Sequence, residues 1–209
     1  FTQQAYGILT SGKIAEAMDL TKEDPKVISR YVPVMKEKEL AFFTSEGPQA
    51  AKKLLLARRL IEAGVRVVNV SISDFDTHSK NFVRMKQLVP IVDHAISTLI
   101  EDLDEREMLD DVTVLAWGEF GRTPKINGNA GRDHYPSCYS IALAGAGIRG
   151  GQVYGKSDKS GSEPAENACG PADLHATIFE AFGIHHKTTI TDRLGRPFPI
   201  SDGKPLPLT

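Results

Sequence analysis

The sequence has few of the features that mark several classes of protein. It has two cysteines, Cys138 and Cys169, and no CxxC spacing, so cysteine supplies neither a disulfide framework nor a CxxC metal motif. We expect two unpaired, partly buried thiols, or one bridge if the compartment is oxidising. No apolar run approaches the roughly 20 residues that span a bilayer. The net charge of −2 indicates neither a nucleic-acid nor a membrane-surface partner.

The composition that remains is that of an ordinary globular protein. Hydrophobic residues make up 41% of the 209 residues and charged residues 25%, which fits one domain or a large piece of one. The chain begins at Phe1, within sequence that resembles a helix, so we expect a processed or truncated fragment. We predict an irregular helical segment over residues 1–48 and the C-terminal part of an α/β domain over residues 49–209.

The order of the predicted elements indicates an α/β fold. Apolar residues at helical spacing predict helices over residues 50–63, 81–107 and 171–182. Apolar, largely β-branched runs predict strands over residues 65–72, 112–117 and 139–144. This alternation favours a mixed or mostly parallel sheet flanked by helices.

Polar clusters lie next to each of the three predicted strands. Asp76 and His78 follow the first strand, Glu119 and Arg122 follow the second, and residues 132–134 precede the third. Ligands bind beyond the carboxyl ends of parallel strands, so we expect the clusters to converge on one edge of the sheet.

Carboxylates and imidazoles are the ligands expected for zinc, manganese or iron. A divalent ion can polarise an ester oxygen and generate hydroxide at neutral pH, and arginine can hold a phosphate or sulfate. The predicted site residues are the metal ligands Asp76, His78, Glu119 and His134, with Arg122 and Arg132 neutralising the oxyanion.

Each cluster also has a structural interpretation. The Asp-Thr-His motif can be a turn that caps the next helix, and Glu119 and His134 can be exposed surface residues. The two arginines can form surface ion pairs. His185 and His186, which follow Gly183, are expected to stabilise a helix C-terminus. The occurrence of all three clusters at strand ends favours the functional interpretation.

Three motifs resemble a known family. The sequence resembles the DUF1501 family of bacterial proteins, which are abundant in planctomycetes, in the motifs Phe75–His78, Gly118–Pro124 and Gly131–His134. Further matching segments are residues 144–153, 171–178 and 195–197. The resemblance runs from about residue 50 to the end. That family looks like a member of the alkaline phosphatase and sulfatase superfamily, which implies a sheet flanked by helices and a two-metal site at its edge.

The resemblance also implies roles for individual residues. Asp76 and His78 match ligands of one metal, and His134 matches the late histidine of the same metal. Glu119 falls where the superfamily places ligands of the second metal, although Asp-His is usual there. The implied cofactors are one or two divalent ions, with zinc expected and manganese as the alternative.

One departure from the superfamily concerns the nucleophile. Its Ser or Thr follows the first strand, near the N-terminus, whereas Thr77 and Ser79 stand in a different motif. Family members are commonly longer and carry an export signal, so the resemblance implies a periplasmic or exported protein. A partner chain supplying the missing segment is a further expectation.

Two classes of function follow as expectations. The first is a metal-dependent hydrolase domain that acts on a phosphate or sulfate ester of a small molecule or glycan. The second is a non-catalytic scaffold or glycan-binding module of an exported bacterial protein that retains the fold. Isomerase or mutase chemistry on a phosphorylated small molecule is a third possibility that the superfamily resemblance covers.

Overall fold

The computed structural model describes residues 12–35 and 47–208, together with residues 3 and 7. Five α-helices lie within these residues: α1 Lys13–Met18, α2 Pro25–Tyr31, α3 Lys52–Glu62, α4 Asn81–Glu105 and α5 Pro171–Ala181. Two 3₁₀ helices, Leu20–Lys22 and Pro48–Ala51, precede α2 and α3. The described strands are β1 Val114–Ala116, β2 Gly121–Arg122, β3 His134–Tyr135, β4 Ala142–Ala144, β5 Lys156–Ser157, β6 Pro164–Glu166, β7 Thr189–Thr191 and β8 Pro197–Pro199. The protein is therefore mixed α/β.

The chain divides into two compact units. The first comprises residues 1–107 and 126–133, and the second residues 108–125 and 134–209; we call them unit 1 and unit 2. Part of the predicted irregular segment over residues 1–48 lies outside the described residues, including residues 36–46.

Unit 1 is built around a helical core. Leu55 of α3 and Leu88, Ile91 and Leu103 of α4 are at most 2% exposed, because apolar side chains recur on one face of each helix. The helices predicted over residues 50–63 and 81–107 are confirmed as α3 and α4. Gly64 follows α3 with a φ of +97°, in the left-handed region that glycine adopts at helix ends.

A buried charge cluster connects the helices of unit 1. Arg58 of α3, which is 2% exposed, donates to Asp102 of α4 at 2.9 Å and to Glu23 at 2.7 Å. Tyr31 of α2 donates its hydroxyl to Asp102 at 2.8 Å, and Arg106 donates to the other oxygen at 2.8 Å. Each buried charge is therefore paired, which the low dielectric of the interior requires.

The segment over residues 65–72 differs from the prediction of a buried strand. It forms no strand in the described structure, and its residues alternate between partly buried Val68, Val70 and Ile72 and exposed neighbours such as Val67. The side-chain alternation of an extended chain is present, but no described segment completes a backbone ladder beside it. A run of β-branched residues specifies extended backbone, whereas a strand also needs a partner.

The predicted mixed or mostly parallel sheet is not confirmed. The described strands form four antiparallel pairs, β1 with β4, β2 with β3, β5 with β6, and β7 with β8. Each strand is only two or three residues long, too short to reveal from periodicity which neighbour it pairs with.

Unit 2 holds the eight strands of the described residues, together with α5. The predicted helix over residues 171–182 is confirmed as α5, and the predicted strands over residues 112–117 and 139–144 contain β1 and β4. Cys138 and Cys169 are both free thiols. Cys138 is partly buried, as expected, whereas Cys169 is exposed. None of the helices in the described part of the chain combines the length and apolarity needed to cross a bilayer.

Candidate metal site

The central feature of unit 1 outside its core is a histidine between two carboxylates. His78 Nε2 lies 3.1 Å from Asp76 Oδ1, and His78 Nδ1 lies 2.7 Å from Asp133 Oδ1. The His78 side chain is 49% exposed, so solutes can reach it. The structure thus brings the predicted ligands Asp76 and His78 together and adds Asp133 beside them.

The loop over residues 126–133 holds Asp133 in place. Asn127 donates from Nδ2 to Asp133 Oδ1 at 3.0 Å and to the His78 backbone carbonyl at 3.1 Å. Its Oδ1 accepts from the backbone N–H groups of Asn129 and Gly131. One amide side chain therefore closes the loop on itself and fixes it to the His78 segment.

Backbone contacts bring this loop against the segment that carries His78. Arg132 donates its backbone N–H to the Thr77 carbonyl at 3.0 Å, and Ser79 forms a β-bridge with Ala130. A Cβ atom added at Gly131 would lie 2.0 Å from the backbone carbon of His78. Only glycine allows the two chains to approach this closely, which gives a physical reason for glycine in the Gly131–His134 motif.

The segment between Asp76 and α4 is held in place by a buried hydrogen bond to the first residue of α4. Thr77 is 1% exposed and accepts at its hydroxyl from Asn81 Nδ2 at 2.5 Å. Asn81 is the first residue of α4, so the start of a long helix fixes the residue between Asp76 and His78. The loop that carries Asp76 and His78 is thus anchored to the first residue of a helix.

The contacts of His78 suit a metal ligand. A neutral imidazole has one N–H and one lone pair. When Nδ1–H donates to Asp133, the Nε2 lone pair faces the Asp76 oxygen, and these two acceptors repel unless a proton or a cation lies between them. Histidine metal ligands usually donate their other ring N–H to a carboxylate, the role that Asp133 fits here. Among the described residues there are accordingly His/Asp/Glu groups able to hold a metal ion.

Unit 2 carries three of the other predicted site residues. Arg122 and His134 are opposite each other in the β2–β3 pair, where side chains on facing residues are neighbours. The Phe120 ring lies 4.5 Å from the His134 ring between centroids and 5.9 Å from Arg122 Cζ. Glu119 is exposed and belongs to none of the ligand groups found among the described residues.

Arg132 belongs to unit 1, next to Asp133. Its Cζ lies 5.9 Å from the centroid of the Phe82 ring, within the range of a cation–π contact. Phe82 lies in the first turn of α4 and is 57% exposed, whereas Arg132 is partly buried. The ligand roles of Glu119 and His134, and the anion-binding roles of both arginines, stay predictions.

Sequence reasoning missed two kinds of residue. Asp133 stood inside a recognised motif, but its contact with His78 depends on the folded loop, and Asn127 carried no signal of its own. Sequence reasoning also missed a possible metal-binding group formed by Glu180, His185 and His186, whose ligand atoms lie within 4.8 Å of one another. The adjacent histidines after Gly183 were the available signal for that group, and they were interpreted as helix-end residues.

Comparison with known sequences places the chain in a family. It matches the family described as protein of unknown function (DUF1501) over residues 1–208. No curated protein and no solved structure matches it significantly. The match includes the first 49 residues, which the recognised motifs did not cover. Because the match covers more than half of the chain, the protein belongs to the DUF1501 family.

Proposed function

We propose that the protein is a metal-dependent hydrolase-like domain that acts on a phosphate or sulfate ester, with the fold of the alkaline phosphatase and sulfatase superfamily. The observation that carries the proposal is the position of His78 between Asp76 and Asp133. A hydrogen-bonded carboxylate behind a histidine, with a second carboxylate in front of it, is the arrangement of a metal ligand and its orienting partner. Zinc suits the imidazole and carboxylate donors.

The residues would act as follows. Asp76 and His78 bind the ion, and Asp133 accepts the Nδ1–H of His78, which keeps Nε2 free of a proton for the metal. Asn127 holds Asp133 by its bond at 3.0 Å. A bound divalent ion would supply polarisation of the ester oxygen and a lowered pKa for water. Arg132, next to Asp133 in unit 1, would neutralise the charge on the phosphoryl or sulfuryl oxygens.

The test is hydrolysis of an aryl phosphate and an aryl sulfate by the chain in the presence of zinc. We expect turnover that a chelator abolishes and added zinc restores. Asp133→Asn should raise the zinc concentration needed for half-maximal rate by about 10–100-fold, as loss of outer-shell partners does, with the rate recovered at saturating zinc. Asp93→Asn, an exposed carboxylate on α4, is the matched control and should change nothing.

Two outcomes would contradict the proposal. Turnover that persists at full rate in excess chelator would mean that no metal takes part. Absence of turnover on both substrates, with zinc bound, would favour the non-catalytic scaffold or glycan-binding module instead.

A further inference from the structure

Unit 2 contains a second cluster of metal-ligating side chains, outside the site described above. Glu180 lies in the last turn of α5, and His185 and His186 follow that helix. One ligand atom from each of the three lies within 4.8 Å of the others. His186 Nδ1 is 2.8 Å from Glu180 Oε1, and the rings of His185 and His186 stack with centroids 4.6 Å apart.

The turn that ends α5 brings these residues together. Gly183 has a φ of +71°, and the N–H groups of Gly183 and Ile184 donate to the carbonyls of Glu180 and Phe179. This left-handed turn reverses the chain over the helix end. The two histidines therefore return to the last turn of the helix, where Glu180 lies.

The histidines are held by backbone hydrogen bonds on both sides of the turn. Thr188 N–H donates to the His185 carbonyl at 2.8 Å, and Ser201 N–H donates to the His186 carbonyl at 3.3 Å. The β7–β8 hairpin follows immediately. Glu180 Oε1 also accepts the His186 backbone N–H at 3.1 Å. The backbone of both histidines is therefore held in place before a ligand binds, which reduces the entropy lost on binding.

The chemistry of the cluster suits a borderline divalent cation. One carboxylate and two imidazoles form the His₂Glu donor set of open zinc sites, in which solvent or a substrate completes the coordination. The carbonyl end of a helix carries partial negative charge, which adds to the attraction for a cation. The side chains of His186 and Glu180 are 13% and 38% exposed, so an ion can enter and is still partly shielded from water.

We propose that Glu180, His185 and His186 form a zinc site that joins the C-terminal end of α5 to the β7–β8 hairpin. The backbone N–H of Lys187 donates to His185 Nδ1 at 3.2 Å, and coordination by this ring requires that weak bond to be given up. The hydrogen bond between His186 and Glu180 is likewise replaced by two bonds to the ion. The site is separate from Asp76 and His78 and is independent of the proposed hydrolase function.

The experiment measures zinc binding to the untagged, metal-free chain by competition with a chromophoric chelator. All proteins carry His78→Gln, so that the first candidate site makes no contribution. In this background we expect about one zinc per chain, the stoichiometry of a single His₂Glu site. Glu180→Gln, His185→Gln and His186→Gln should each weaken the affinity at least about tenfold, since even outer-shell partners cost 10–100-fold.

The matched control is His175→Gln, which removes an exposed histidine from the same helix and should leave the affinity unchanged. Cobalt binding provides a second readout, because Co²⁺ in a four-coordinate site absorbs visible light. This absorption should appear in the His78→Gln background protein and vanish when Glu180→Gln, His185→Gln and His186→Gln are combined in one triple variant. The proposal is overturned if the background protein takes up no zinc, or if the triple variant binds zinc as tightly as its parent. It also fails if His175→Gln weakens binding as much as the three substitutions do.

Discussion

At the scale of single residues, the candidate site depends on side chains whose roles follow from the folded loop. Asp76 and His78 could be chosen from the sequence, because an acid and a histidine after an apolar run have the chemistry of metal ligands. Asp133 and Asn127 could not be assigned their roles, since the contacts at 2.7 Å and 3.0 Å exist only when residues 126–133 fold back on the His78 segment. Short polar side chains in a loop give no sequence signal for such long-range contacts.

Gly131 gives a prediction at this scale. Gly131→Ala should lower the free energy of unfolding by about 1–3 kcal/mol, the usual range for overpacking, because the new Cβ would lie 2.0 Å from the His78 backbone. It should also weaken zinc binding, since the displaced segment carries His78. Urea unfolding and zinc titration measure the two effects.

Gly128→Ala is the control for that prediction. Gly128 lies in the same loop, and a Cβ there would meet nothing within 4 Å. Gly128→Ala should therefore change the free energies of unfolding and of zinc binding by no more than a few tenths of a kcal/mol. Equal stability of the two variants would show that the close approach at Gly131 is unimportant.

At the scale of secondary-structure elements, helices were predictable and strand pairing was not. Apolar residues recur with a 3.6-residue period in the sequences of α3 and α4, and both helices form at the predicted positions. Strand pairing depends on distant residues, such as the register that sets Val114 opposite Ala144. Residues 65–72 illustrate why strand pairing could not be predicted. Their composition favours extended backbone, but it does not indicate which segment would pair with them.

The charge cluster between α2, α3 and α4 gives a prediction for the elements. Asp102→Asn should destabilise the protein by up to about 3–5 kcal/mol, the usual cost of breaking a buried ion pair, because the buried Arg58 loses one of its carboxylate partners and keeps Glu23 and Glu62. Asp104→Asn, an exposed neighbour on α4, should be near neutral. Urea denaturation of both variants at pH 7 makes the comparison, and a similar midpoint for the two would contradict the role of the cluster.

The same cluster predicts a dependence of stability on pH. Burial raises the pKa of Asp102, but hydrogen bonds from Arg106 and Tyr31 and the charge of Arg58 outweigh it and lower the pKa below its usual value. The pKa of Glu23 is lowered in the same way by Arg59 and Arg58 against its burial. The unfolded chain therefore binds more protons in acid. The stability these carboxylates contribute is complete above their ordinary pKa, near 4, and is lost as the pH falls through the lower folded values.

The measurement for this dependence is the free energy of unfolding between about pH 6 and pH 2.5, the range over which lowered carboxyl pKa values act. The wild-type protein should lose stability more steeply than Asp102→Asn as the pH falls, because the variant lacks one of the titrating groups. Parallel curves would mean that Asp102 does not titrate at a lowered pKa.

At the scale of the whole molecule, family membership and mixed α/β structure are established, and the chemistry is a proposal. The sequence pointed to an acid and histidine site, and the structure gives that site a specific geometry in unit 1 around His78. The parallel sheet, on whose edge the clusters were expected to meet, is replaced by antiparallel pairs among the described strands. The contacts of His78, rather than the topology of a sheet, therefore define the site.

The most direct test of the central claim is the zinc content of the purified, untagged chain after dialysis, measured by inductively coupled plasma mass spectrometry. Glu180→Gln/His185→Gln/His186→Gln serves as the reference protein, so that the second cluster does not contribute. We predict that the reference protein retains at least about one zinc per chain and that adding His78→Gln or Asp76→Asn removes about one, as loss of a site with few protein ligands should. His134→Ala, compared in the same way, tests the predicted ligand role of His134. Equal zinc in the reference protein and its His78→Gln derivative would contradict a metal site at His78.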